Sequence, residues 1–262
     1  MASRREQKEQ ARAQREATER RDVAAAQRAR RLRTLGAVLA LAVVVVIVAI
    51  VVSSGGSTKK GLSSGSKAGA VTAAVSAELQ GIPQAGTRLG QPGAPVTMDY
   101  YGDLQCPVCA AFTTGALATA ISREVRGGKL QVVYRSLQTA TQSPQVFAEQ
   151  QTAALAAGRQ DRLWQFAELF YRQQGEEGSG YVTPDFIAGV ARQTPGLDLG
   201  AWSAARARPA LRAQLAADAA AARRVGATGT PTLVVHGPKG TRQLSGDPPY
   251  ATLAKAIAAV AG

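Results

Sequence analysis

Two cysteines are all that the 262 residues contain, and they stand three apart in Cys106-Pro107-Val108-Cys109. A bridge between them would close a very short loop, worth about 2 kcal/mol on the chain-entropy account against roughly 4–5 kcal/mol for a loop of about a hundred residues. A domain that relied on disulfides for stability would spread several cysteines over long loops. A closed zinc site takes four Cys or His ligands, and His236 is the single histidine in the chain, so no metal site is expected. Reversible thiol–disulfide exchange is the chemistry that suits the pair. A thiolate attacks a disulfide sulfur, a mixed disulfide forms, and the second cysteine resolves it. The pair is then its own redox group, with no other cofactor.

Such a pair must be held where one thiol ionises easily. Val96–Tyr101 predicts a strand, about Pro107 to Val125 a helix, and Leu130–Ser136 a second strand. Cys106 therefore falls at a helix N-terminus, where free N–H groups and the helix dipole favour a thiolate. Pro107 suits the first turn, because its missing N–H costs no helical bond. Helices follow at Pro144–Gly158, Asp161–Gln173, Thr183–Gln193, Leu199–Ala207 and Pro209–Val225, with caps at Ser143, Thr183 and Asp198. Strands at Thr232–His236 and Thr241–Ser245 and a helix from about Pro249 close the chain. The order is βαβ, helices, ββα, an α/β domain with a helical insertion at about 144–225.

The second motif is GATGTPTLVVHG at 226–237, whose Thr230-Pro231 directly precedes a strand. By itself it reads as an ordinary trans proline at a strand start. Together with GIPQAGTRLGQPGAPVT at 81–97 and YGDLQCPVCAAF at 101–112, it makes the chain resemble the DsbA-like branch of the thioredoxin superfamily over roughly residues 78–262. The resemblance is to the membrane-anchored or secreted proteins of Gram-positive and actinobacterial type. It implies a thioredoxin-like fold with an all-helical insertion, and extracytoplasmic exchange with unfolded or partly folded proteins. It implies Cys106 as nucleophile, Cys109 as resolving cysteine, and a cis Pro231 facing the pair with the Thr230 backbone open to an extended substrate. Two positions depart from the pattern. Val108 stands where strongly oxidising members often have His, and Tyr100 stands six before Cys106, where many relatives carry a proton-relaying acid. Asp99 and Asp103 are the nearest acids to that position.

The remaining sequence sets the location. Leu35 to Val52 is apolar without interruption, and eighteen residues reach about 27 Å at about 1.5 Å each, close to the roughly 30 Å hydrocarbon core. This is a single transmembrane helix. Residues 1–33 carry eleven Lys/Arg against five Asp/Glu, about half of the net +13, and this basic arm stays cytoplasmic by the positive-inside rule. A cleaved signal peptide is the competing reading, but those have a short basic start and a 7–15-residue apolar core. The arm has no aromatic residue for stacking, so no nucleic-acid partner is expected. The organisation is a basic arm (1–34), a membrane helix (35–52), a Gly/Ser/Lys linker (53–77) and an extracytoplasmic domain (78–262).

The function expected is the introduction of disulfides into exported proteins by a monomer, reoxidised by a membrane partner of the DsbB or vitamin K epoxide reductase-like type. A disulfide isomerase or reductase, and a non-catalytic binding module with a permanent bridge, are the alternatives. His236 reads as a strand-end residue without function. Trp164, Phe166, Leu169, Phe170 and Tyr171, at helical spacing, read as the core of the insertion.

Overall fold

The computed structural model describes residues 62–262. The basic arm, the apolar run 35–52 and the first part of the linker lie outside them. Among the described residues no helix is long and apolar enough to cross a membrane.

The folded part begins earlier than the 53–77 linker reading allows. Helix α1, Gly65–Leu79, falls mostly within that stretch. Gly and Ser dominate its approach, but Val71, Val75 and Leu79 recur four apart and form an apolar stripe, with Val75 and Leu79 fully buried. Its far end is fastened by the Arg126 guanidinium, which donates to the carbonyls of Glu78 and Gln80, and by an ion pair between Glu78 and Arg172. Ahead of α1, the Ser63 amide donates to the Gln173 side chain at 2.8 Å. The chain therefore joins the domain by residue 63, within the stretch 53–77 read as linker.

The sheet has six strands in the order β1-β2-β4-β3-β5-β6. β3 (Val96–Gly102) runs parallel to β4 (Leu130–Ser136) and antiparallel to β5 (Thr232–Gly237), and β6 (Gly240–Ser245) closes that edge. The opposite edge is a hairpin of two-residue strands, β1 (Gln84–Ala85) and β2 (Arg88–Leu89), with Leu89 opposite Val132. Residues of β3 that point to the core, Met98 and Tyr100, are fully buried, as period-2 alternation requires.

Helix α2 crosses from β3 to β4. It is α-helical at Pro107–Phe112 and Ala118–Ala120 and π-helical at Thr113–Leu117 and Ile121–Val125. Gly115 and the Thr114 and Thr119 hydroxyls, which donate to the carbonyls four residues back, loosen the regular ladder there. The insertion comprises α3 (Pro144–Gly158), α4 (Leu163–Arg172), α5 (Pro184–Gln193), α6 (Leu199–Arg206) and α7 (Pro209–Arg224), and α8 (Tyr250–Val260) ends the chain. Ser143, Thr183 and Asp198 cap α3, α5 and α6 through their side chains. Edge-to-face rings join the elements: Tyr100 of β3 on Phe112 of α2 and on Tyr134 of β4, and Tyr134 on Trp164, which ties the insertion to the sheet. Trp164, Phe166, Leu169, Phe170 and Tyr171 are all buried.

Candidate redox site

The register of the sheet builds the site. β5 lies against β3 with Thr232 opposite Tyr101, so Thr230-Pro231, just ahead of β5, meets the loop leaving β3. The Thr230–Pro231 bond is cis. The loop turns through Asp103, whose carbonyl accepts from the Cys106 amide at 3.0 Å, and Cys106 becomes the N-cap of α2 with extended backbone. Pro107 is the first residue of that helix. Val108 is 41% exposed, an unusual position for a large apolar side chain.

The two cysteines are free thiols in this structure and face each other unequally. The sulfur of Cys106 accepts from the Cys109 amide at 3.4 Å and lies 3.3 Å from the Thr230 carbonyl oxygen. A hydrogen bond from the Cys109 thiol, aided by Thr230 and by the amides of Cys109 and Val108, outweighs burial and brings the Cys106 thiol down to about 6. Burial pushes the Cys109 thiol well above its ordinary range, and the neighbouring Cys106 thiolate adds to the effect. At pH 7 Cys106 is thus mostly thiolate while Cys109 keeps its proton. The first is an attacking and leaving group. The second is a protected thiol one turn below it.

Three side chains that the sequence did not single out hold this geometry. The Gln174 amide donates to the carbonyls of Leu104 (2.9 Å) and Cys106 (3.1 Å), pinning the loop from the end of α4. Gln150 donates to Asp103 (3.2 Å) and to the Thr141 hydroxyl (2.8 Å). Thr139 joins its hydroxyl to that of Thr230. None of these carries a local signal, since each becomes a site residue only when distant segments converge.

Neither candidate relay acid is free for that work. Asp99 points to the opposite face of β3, where it takes Arg135 at 2.7 Å and lies 3.4 Å from His236. Asp103 is fully buried, and its carboxylate accepts from the amides of Gln105, Thr139, Ala140 and Thr141, from the Thr141 hydroxyl and from Gln150. It is an anchor for the 139–141 loop. Tyr100 occupies the ground beneath Cys109, with its hydroxyl 3.4 Å from the Cys109 carbonyl, 3.0 Å from Thr113 Oγ1 and 3.3 Å from the Tyr171 hydroxyl. Hydroxyls stand there in place of a carboxylate, and burial pushes those of Tyr100 and Tyr171 well above the ordinary tyrosine range. His236, half exposed on β5, pairs across the sheet with Thr97, at the end of β3 remote from Cys106. Among the described residues no group of three His, Cys, Asp or Glu is arranged to hold a metal ion.

A cleft of about 620 Å³ opens beside the pair between α1 and α2, with small apolar residues such as Val71, Pro107 and Ala110 on its walls and Thr114, Arg172 and Gln174 supplying polar ones.

Comparison with known proteins agrees with this geometry. The family model described as thioredoxin matches residues 84–259. A probable disulfide bond formation protein D of Bacillus cereus is 22% identical over 152 residues, covering 57% of this chain and 69% of its own. Among solved structures, oxidised BdbD of Bacillus subtilis superposes with a TM-score of 0.58 at 18% identity, covering 68% of this chain and 95% of its own. The thiol–disulfide exchange protein alpha-DsbA2 of Wolbachia pipientis gives a TM-score of 0.54 at 16% identity, covering 75% and 98%.

Proposed function

The chain belongs to the thioredoxin family, in its DsbA-like branch, and is a thiol–disulfide oxidoreductase; on that premise we propose that it works as an oxidant, introducing disulfides into exported proteins. The observation that carries the direction is the unequal pair, a Cys106 thiol at about 6 above a buried Cys109. A stabilised thiolate favours the dithiol form, so the disulfide form gives up its bridge readily.

In the forward direction a substrate thiolate attacks Cys106, the Cys106–Cys109 bond breaks, and Cys109 leaves and takes a proton. A second substrate thiolate then attacks the substrate sulfur of the mixed disulfide, forming the new substrate bridge and expelling Cys106 as a thiolate. The expelled group has a low pKa, which speeds this step. Val108 supplies neither hydrogen bond nor charge to Cys106, so the oxidising power is moderate.

The substrates are unfolded or partly folded chains, which the exposed Val108 and the mixed apolar and polar cleft beside Pro107 suit. The uninterrupted apolar run at 35–52 behind a basic arm supports a membrane anchor with the catalytic domain outside the cytoplasm. Electrons taken from substrates then pass to a quinone-linked membrane partner of the DsbB or vitamin K epoxide reductase-like type. The test is oxidative refolding of a reduced multi-cysteine protein by the oxidised full-length chain. Refolding that is lost in Cys106→Ser, with a potential above about −200 mV, supports the oxidant; a potential near or below about −270 mV without refolding contradicts it.

A further inference from the structure

The turn from Asp103 to Cys106 presents three main-chain carbonyls to the end of α4. The Tyr171 hydroxyl donates to the Asp103 carbonyl at 3.3 Å, and the side chain of Gln174, just beyond the helix, donates to the carbonyls of Leu104 at 2.9 Å and Cys106 at 3.1 Å. Carbonyl oxygens only accept, so the amide nitrogen of Gln174 must face them, with one proton on each. Gln174 is buried, and among the described residues no other side chain donates to either carbonyl.

The Cys106 carbonyl has a second role. It accepts from the Ala110 amide at 3.1 Å, the bond that opens α2 and closes the turn whose Cys109 amide donates to the Cys106 sulfur at 3.4 Å. One donor from α2 and one from Gln174 fill the two lone pairs of that oxygen. The sulfur of the same residue faces the Cys109 amide and the Thr230 carbonyl instead. A thiolate gains from amides aimed at it and loses from carbonyl oxygens turned toward it. Without the Gln174 amide the Leu104 and Cys106 carbonyls each lack a donor in the interior, and the turn relaxes by rotating them toward other partners. The first turn of α2 then loses its fixed setting against the sulfur. Resting on the reading of Cys106 as the attacking thiolate, we propose that Gln174 is a positioning residue for the redox pair: by holding the carbonyls of Leu104 and Cys106 against the end of α4, it keeps the Cys109 amide aimed at the Cys106 sulfur.

The test titrates the thiolate absorbance of the reduced full-length chain and of Gln174→Met, Gln174→Ala and Gln173→Met, with thermal unfolding as a check on folding. Met keeps the length of Gln and removes both donors. Gln173 is also buried, and its amide donates to the Leu169 carbonyl and to Gln193, outside the redox turn, so its variant controls for buried bonds lost at the same end of α4. In the Gln174 variants the Cys106 titration should rise by about half a unit to one unit, the scale of one lost hydrogen bond. At about pH 8 the equilibrium with glutathione should move roughly three- to tenfold toward the protein disulfide, a potential lower by about 15–30 mV. Gln173→Met should lose stability and titrate like the unsubstituted protein. Folded Gln174 variants that titrate unchanged, or an equal rise in Gln173→Met, overturn the inference while leaving the thiolate reading intact. So does NMR of the unsubstituted protein if the Gln174 side-chain amide protons exchange with water as fast as those of an exposed glutamine, a result that needs no folded variant. An unsubstituted protein that titrates in the ordinary thiol range, near about 8.5, removes the reading itself and the inference with it.

Discussion

Raising the pH across neutrality should change the number of protons taken up on reduction, because the two thiols ionise so far apart. Below the Cys106 value of about 6 the reduced pair holds two protons, and above it one, since buried Cys109 keeps its own. The disulfide holds none. Each proton bound per two electrons moves the potential by about −30 mV per pH unit, so the slope should be about −59 mV per unit below pH ~6 and about −30 mV above it. A pair of ordinary thiols near about 8.5 would keep the steeper slope to about pH 8. Against glutathione, whose thiols stay protonated over this range, the constant for forming the protein disulfide should fall roughly fifty-fold between about pH 6 and pH 8. The sign matches the linkage of a lowered pKa: the thiolate stabilises the reduced fold fully above the unfolded value, and that stability is lost as pH falls through about 6. The assay equilibrates the full-length chain in glutathione buffers at fixed pH, quenches with acid and separates the two forms. A constant that stays flat from pH 6 to 8 would refute the division of labour between the thiols.

Val108→His should lower the Cys106 titration, because the exposed position admits the ring without disturbing the core. A unit charge about 4 Å away in a water-like medium is worth about 1 kcal/mol, or about 0.7 pKa unit, read by the same thiolate absorbance while the imidazole is protonated. Asp103→Ala leaves the amides of Gln105, Thr139, Ala140 and Thr141 without their acceptor in the interior. The loss should be about 3 kcal/mol or more by urea unfolding, and a change under about 1 kcal/mol would contradict the anchoring role. Glu168 is fully buried beside Glu78 and the single Arg172, and burial followed by the Glu78 charge raises its carboxyl to about 8. A raised carboxyl costs stability progressively as pH climbs from about 4.5 to 8, so Glu168→Gln should gain on the parent over that window. Equal stability differences in urea at pH 5 and pH 8 would argue against it.

The parts of the fold that were legible in the sequence are those with local causes. β-rich runs at Val96–Tyr101 and Leu130–Ser136 form strands, side-chain caps at Ser143, Thr183 and Asp198 start helices, and Pro107 behind Cys106 marks the helix start that acidifies a thiol. What escaped depends on distant partners. A short helix over Ala70–Gln80 is readable in the sequence, but its first turn, from Gly65, runs through Gly/Ser-rich residues that signal coil, and the helix is held by burial of Val75 and Leu79 and by Arg126 and Arg172. The two-residue strands β1 and β2 are too short for any periodicity and exist because β4 offers them an edge. At the site, the cysteines were visible because they are the only two. Thr139 and Gln174 were not, because they approach Cys106 from 33 and 68 residues away in the chain. Position alone left open whether Asp99, Asp103 or neither serves as an acid at the site, and the six donors on Asp103 make it an anchor for the 139–141 loop.

The central claim is that Cys106 alone makes and breaks bonds with the substrate, while Cys109 resolves. It is tested most directly by incubating the reduced full-length Cys109→Ser and Cys106→Ser variants with a disulfide-bonded peptide at pH 7 and mapping adducts by mass spectrometry. The account predicts a long-lived mixed disulfide at Cys106 in Cys109→Ser and almost none in Cys106→Ser. Comparable adducts at Cys109, or none at Cys106, would contradict it.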